Sequence, residues 1–501
     1  MTGARIALVA AMAILRASIA TAQGTQHLGT VHFETSCTPR VTAQFDRAVA
    51  LLHSFEFGAS IRAFNDVLAT DSTCAMAYWG IALSRWTNPM VPGDRPPAQL
   101  ELGRHAVSAA ERLSAGKPER ERGYIGAVGR LYDDFEHTDQ RTRVAAYERA
   151  MGDLVVRQPA DTEAMIFHAL ALVASASPAD KTYANQLKAG SILEALWAKQ
   201  PNHPGLAHYI IHSYDYPPLA NRARAAALRY SHIAPDAAHA LHMSSHTFTR
   251  LVMWKESVRA NGRSGEVALR EGSIAEALHA SDYAMYANLQ LGRYADAKAI
   301  LDALPALAAR FDPTAVTGAA PGSAGVFALA AIPARWTLER RAWTEAAALE
   351  PHPSAFPYAD AMTYFARALG ASHTKDLATA RTSIDSLAAI RQRLSAKGES
   401  YWTEQVSIQH LAASAWLDLA ERRESDALSK MREAAAREDA TEKSAVTPGP
   451  LAPSRELLGD MLMELGRPEE ARAEYRETLK REPNRRHASR ALDVRRGLRR
   501  L

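Results

Sequence analysis

Cysteine is almost absent from this chain, which has two, Cys37 and Cys74, in 501 residues. Neither lies in a Cys-x-x-Cys spacing, so a thiolate metal site has no support, and the even pair points to one disulfide. Runs of Val, Ile and Thr are scarce beside plentiful Ala and Leu, which argues against a sheet-rich fold and for helices. The formal net charge is only +4, too small for this length to suggest a nucleic-acid partner. Enzyme signatures are missing as well: there is no His-Glu-x-x-His, no Gly-x-Ser-x-Gly and no P-loop. Beyond the N-terminus, no run is apolar enough to span a membrane.

The N-terminus itself, MTGARIALVAAMAILRASIATA (1–22), has the pattern of a secretory signal. Arg5 supplies the charged start, IALVAAMAIL the apolar stretch and Ala20-Thr21-Ala22 the small-residue cleavage site. Arg16 near the end of the apolar stretch is the one departure from the pattern. The expectation is a periplasmic or secreted protein with no transmembrane segment after processing, in which Cys37 and Cys74 would be oxidised to a bond.

What the chain does contain is repetition. Residues 452–483 carry Leu458-Gly459, Leu462, Gly466, Ala471, Tyr475 and a closing Pro483. The small residues fit where two helices cross closely, Leu458 and Leu462 share a face, and Pro483 stops the second helix. Residues 48–71 place Ser60 and Phe64 at the matching small and aromatic positions, CAMAYWGIALS (74–84) opens the next helix, and 287–304 repeats Leu-Gly-x-Tyr-x-x-Ala. These types and spacings resemble the tetratricopeptide repeat (TPR), a helix–turn–helix unit of about 34 residues. Segments such as HPGLAHYIIHSYDYP, ALHMSSHTFTRL and VTPGPLAPSRELLGDML further resemble a group of exported bacterial TPR proteins. That resemblance implies an all-α helical-hairpin solenoid wound as a right-handed superhelix with a concave groove. It implies no activity.

The chemistry lies in the histidines. Seven of the eighteen fall between His203 and His246, three of them in HALHMSSHTF (239–248). Taking Pro235 as the counterpart of Pro483 starts one repeat at Pro204 and the next at Ala238. His208 and His212 are then the fifth and ninth residues of one unit, and His242 and His246 the fifth and ninth of the next, an offset of 34 in both cases. Residues four apart share a helix face, so two in-register pairs on neighbouring helices form a four-histidine patch. Positions two, five and nine of the first helix line the groove in the TPR family. The resemblance therefore implies that His239 joins the patch, and that His279, Asp282 and Tyr286 extend it from the following unit as outer or ligand-binding members. Imidazoles in this arrangement suit a transition metal such as zinc or copper, with binding expected to weaken as pH falls toward about 6. The competing reading is a hydrogen-bonded network bracing the helices.

The expected layout is a signal peptide over 1–22, repeats with the His-rich groove over 23–310, a Gly/Pro-rich loop over 311–330, further repeats over 331–484 and a basic capping tail over 485–501. The expected function is ligand binding in the groove, of a small molecule or a peptide or protein segment, with a His-rich metal site. The alternatives are a metal-free protein–protein scaffold and a metal-dependent hydrolase or oxidase. The eight tryptophans, from Trp79 to Trp416, are expected to pack between helices.

Overall fold

The computed structural model describes residues 26–91, 95–177 and 180–498, with the side chains of 494–498 outside that description. The expected signal peptide lies outside the described residues. Among the described residues the chain is all-α, with twenty-three α-helices, two short 3-10 turns and no strand. Helices adjacent in sequence pack against each other as antiparallel hairpins. Alternate helices also touch: Pro204–Tyr214 meets Ala238–Arg250, which meets Ile274–Leu291. This stacking of first helices upon first helices is the TPR-type solenoid.

The repeat residues do the work expected of them. A Cβ on Gly80 would lie 2.2 Å from the Phe64 ring, and one on Gly459 2.6 Å from the Tyr475 ring. Only a bare backbone lets those helices approach so closely. Gly292 and Gly466 end their helices with φ near +70°, the left-handed turn that glycine adopts without a Cβ clash. Of the eight tryptophans, six are buried, while Trp197 and Trp343 are half-buried.

One large apolar core runs from Leu28 to Ala260 and a second from Phe327 to Ala488. Between them lies the Ile274–Leu291 helix with its own smaller cluster, in which Leu278, Met285 and Leu289 meet Ala328, Ile332 and Trp336. The histidine-bearing helices lie at this seam.

Two segments depart from the expected layout. The Gly/Pro-rich stretch is shorter than 311–330, because a helix begins at Gly322 directly after Pro321 and runs to Glu339. What remains of the loop turns inward: the Gly58 amide donates to the Thr317 carbonyl at 2.8 Å and the Ala320 amide to Glu276 at 2.8 Å. A second inward segment, 441–453, is held by Tyr283, whose hydroxyl donates to the carbonyls of Ala445 and Thr447 at 3.0 and 3.1 Å. The basic tail departs from a solvated cap at its first residue. Arg485 is 2% exposed and pairs with Glu339 at 2.7 Å and Glu456 at 2.9 Å. The Arg486–Leu498 helix then closes the array.

Cys37, in the extended N-terminal segment, is bonded to Cys74 at the start of the Ala75–Trp86 helix, as expected. The bond closes a loop spanning 37 positions, worth about 4 kcal/mol in the chain-entropy model. Thiol labelling of denatured, unreduced protein should find no free thiol, and Cys37→Ser with Cys74→Ser should lower the unfolding free energy by up to that amount. Arg485→Met leaves two buried carboxylates without their cation. It should cost about 3–5 kcal/mol in urea unfolding, whereas a merely solvated tail would show no change.

Candidate metal centre

Pro204 and Ala238 are the first residues of the Pro204–Tyr214 and Ala238–Arg250 helices, so the one-repeat register read from the sequence holds in three dimensions. His208, His212, His239, His242, His246 and His279 are all buried, none more than 7% exposed. They were expected to line an open groove. Instead the inward segments cover them, with Ala320, Pro321 and Ser444–Val446 closing over a cavity of about 30 Å³ lined by His212, His239, His246 and His279.

The single four-histidine patch is also replaced. Ring nitrogens of His208, His212 and His239 lie within 4.8 Å of one another, and those of His242, His246 and His279 form a second such group. Each triad takes the fifth and ninth residues of one repeat and the second residue of the next. The reason is angular: three residues of helix turn His239 about 300° from His242, onto the flank facing the preceding helix. His279 is thus a full member of a triad and not an outer one.

Asp282 and Tyr286 do not join the imidazoles. Asp282 forms a fully buried ion pair with Arg335, Nε to Oδ1 at 2.7 Å. Arg335 also donates to the carbonyls of Gly449 and Pro450 and so anchors the inward segment. The Tyr286 hydroxyl donates to Glu482 at 3.3 Å. At these two positions the third unit faces the C-terminal elements.

The outer contacts fix the protonation of four rings. His208 Nδ1 donates to the His53 carbonyl at 2.6 Å, His239 Nδ1 to Glu276 at 3.1 Å and His246 Nδ1 to Asp215 at 2.9 Å. His242 Nδ1 donates to Asn261 Oδ1 at 2.7 Å, and the Asn261 amide nitrogen donates to the Ser257 carbonyl, which identifies Oδ1 as the acceptor. With the proton on Nδ1, each neutral ring directs a lone pair from Nε2. His242 Nε2 and His246 Nε2 face each other at 3.1 Å. His208 Nε2 and His212 Nε2 are also 3.1 Å apart. The buried His239 Nε2 and His279 Nδ1 have no hydrogen-bond partner among the described residues.

Burial favours the neutral form of the His208, His212, His242, His246 and His279 rings. It pushes His242 down to about 3, with the His246 imidazole adding to the effect, and pushes His208, His212 and His279 well below the ordinary value. Burial also lowers His246, against the opposing pull of Asp215. For Asp215, burial raises the pKa, but Lys443, Arg250 and His246 together hold it well below the carboxylate range. Two opposed lone pairs repel unless a cation lies between them. Nδ1 donation to a carboxylate or carbonyl, with Nε2 left bare, is the outer arrangement that orients metal-binding imidazoles.

A third histidine group has the opposite character. His53 and His203 donate from Nε2 to the two oxygens of Glu163 at 2.9 and 2.8 Å, and His53 Nδ1 meets the Tyr209 hydroxyl at 3.0 Å. These side chains bond to one another, while the buried His203 Nδ1 has no hydrogen-bond partner among the described residues. Here the bracing alternative raised by the sequence applies. His53 and Glu163, like Asp215, Asn261 and Glu276 at the triads, have no sequence signal linking them to the repeat positions.

Beside the triads is a larger cavity of about 460 Å³, lined by Tyr183, Asp215, Tyr216, Tyr401, Glu442 and Lys443 among others. His212 and Met90 line both cavities. Burial brings the Lys443 ammonium down to about 8, and it lies 3.6 Å from Asp215.

No protein-family model matches the chain, and no curated protein matches it. Among solved structures it is similar to a human IFIT1 dimer with m7Gppp-AAAA, at 10% identity and a TM-score of 0.36, over 81% of this chain and 90% of that one. At that score the likeness carries no further argument. No helix of the described residues is long and apolar enough to cross a membrane.

The buried rings revise the expected pH dependence, because their low pKa values keep protons from competing for Nε2 near pH 6. Protonation instead favours the unfolded chain, where histidine titrates near 6.5. The stability these neutral rings contribute is complete above about pH 6.5 and falls as pH drops, reaching down to about 3 for His242, by up to about 1.4 kcal/mol per pH unit for each ring. Urea midpoints of chelator-treated protein should therefore drop between pH 7.5 and 5, and His242→Gln should flatten the slope. Equal midpoints with and without His242 would contradict the assignment.

Proposed function

We propose that the protein is an exported helical solenoid that holds a transition metal on its buried histidine faces and acts on or binds a small molecule reaching that metal from the larger cavity. The observation that carries this reading is the opposition of His242 Nε2 and His246 Nε2 at 3.1 Å, with both Nδ1 protons already donated elsewhere. Three neutral nitrogen donors bordering a cavity suit zinc or copper with a coordination position left open. A metal so bound would supply either a water of lowered pKa or a redox centre, the hydrolase and oxidase versions of the reading. The chain's own part is to orient His239 and His246 through Glu276 and Asp215 and to keep bulk water out with the 316–321 and 443–447 segments.

Export is supported by the signal-like N-terminus and by the Cys37–Cys74 bond, which persists in oxidising compartments. Membership of the exported bacterial TPR group is part of the same reading and rests on the quoted segments. A pure scaffold fits less well, because the concave face at the histidines is filled by the chain itself.

Metal analysis of protein purified without chelator should find at least one zinc or copper per chain. His212→Ala and His246→Ala, made separately, should lower that content while leaving the helical circular-dichroism signal in place. A metal-free parent whose variants unfold would assign the triads to bracing.

A further inference from the structure

We infer that the two triads form one binuclear centre, in which two metal ions are held side by side and share a small bridging ligand such as hydroxide. This rests on the metal reading above and goes beyond it in number, spacing and ligand class. The first ground is equivalence. His208, His212 and His239 occupy the same repeat positions as His242, His246 and His279, so the fold builds one donor set twice. Each triad also has one carboxylate behind it, Glu276 on the second-position His239 and Asp215 on the ninth-position His246.

The second ground is adjacency. The His239 and His242 ring centroids are 5.9 Å apart and those of His212 and His246 are 6.5 Å apart. A metal bonded to a ring nitrogen at about 2 Å lies about 3 Å from that ring's centroid. Ions on facing rings at this separation are brought within reach of the roughly 3.5–4 Å spacing of two-metal sites.

The third ground is the shared cavity. His212 and His239 from one triad and His246 and His279 from the other line the same space, so the open coordination positions of both ions point into it. Charge then selects the bridge. Two divalent ions bring four positive charges; Glu276 balances one, while Asp215 is already paired with Arg250 and Lys443. The small remaining space, bordered by Met90, Met243, Ala320 and Val446, favours a compact anion over a bulky one.

The test uses the full chain, stripped with chelator and reloaded with Cu(II) alone. Mass-spectrometric metal counting should give two ions per chain, and electron paramagnetic resonance should detect clearly less than two spins because a shared bridge couples them. Azide is the probe for the bridging position and should perturb the spectrum of the loaded protein. In His208→Ala and in His242→Ala, one ion should remain and give a full, uncoupled Cu(II) signal. Two ions with two full independent spins would overturn the shared centre. One ion per chain would overturn the pairing while leaving the metal reading intact, and none would overturn that reading itself. The count and spin measurement on the parent protein decide the matter even where a variant fails to fold.

Discussion

Two buried imidazole nitrogens directed at each other are the constraint around which this protein is organised. His242 and His246 cannot both relax away, because Asn261 and Asp215 hold their other nitrogens. Those acceptors sit on different elements, Asn261 in the Trp254–Arg270 helix and Asp215 just after the Pro204–Tyr214 helix. The stacking of the solenoid therefore fixes the rings from both sides. Arg250 and Lys443 in turn fix the charge on Asp215. Protonation of His246 would ease the opposition, but burial works against it.

Same-residue chemistry is resolved here by which nitrogen is spent. His53 and His203 use Nε2 on Glu163, and His203 Nδ1 is left without a partner among the described residues. His208, His239, His242 and His246 use Nδ1 on outside acceptors and leave Nε2 inward. Burial alone would not separate the two groups, since all six rings are nearly inaccessible. The hydrogen-bond pattern does: one group spends Nε2 on a carboxylate, and the other turns Nε2 inward.

Much of this was legible in the sequence because it depends on local periodicity. The 34-residue offset placed His208, His212, His242 and His246 on equivalent faces, and the Leu-Gly and Tyr positions identified the helix crossings. The cysteine pair was legible from composition and compartment. What was not legible depends on chain far away in sequence. Nothing near Asp282 announces that Arg335 will claim it, and nothing near His246 announces that Ser444 to Val446 will cover it. His279 was misplaced by one shell for a different reason: sharing a repeat position was taken to mean sharing a patch. In the structure, the second position of each unit leans back onto the unit before it. Arg485 shows the same limit, since its partners, Glu339 and Glu456, are remote in sequence.

The covering segments decide between a groove and a centre. A scaffold gains by leaving its concave face open to a partner, whereas here Thr317, Ala320, Ala445 and Thr447 are bonded down onto it. Covering the histidines carries a cost, because a buried polar atom without a partner loses about 1–3 kcal/mol. His239 Nε2 and His279 Nδ1 both incur it, and the opposed nitrogens of His242 and His246 add repulsion. Set against a net folding stability of about 5–15 kcal/mol, that is a large concession, and it exceeds the single orphaned nitrogen, His203 Nδ1, of the His53–Glu163–His203 group. Coordination of the inward nitrogens reverses the sign, since a bound zinc-like ion can return about 10 kcal/mol or more. The burial that makes the His279 ring costly when bare is the same burial that keeps it neutral and ready to bind.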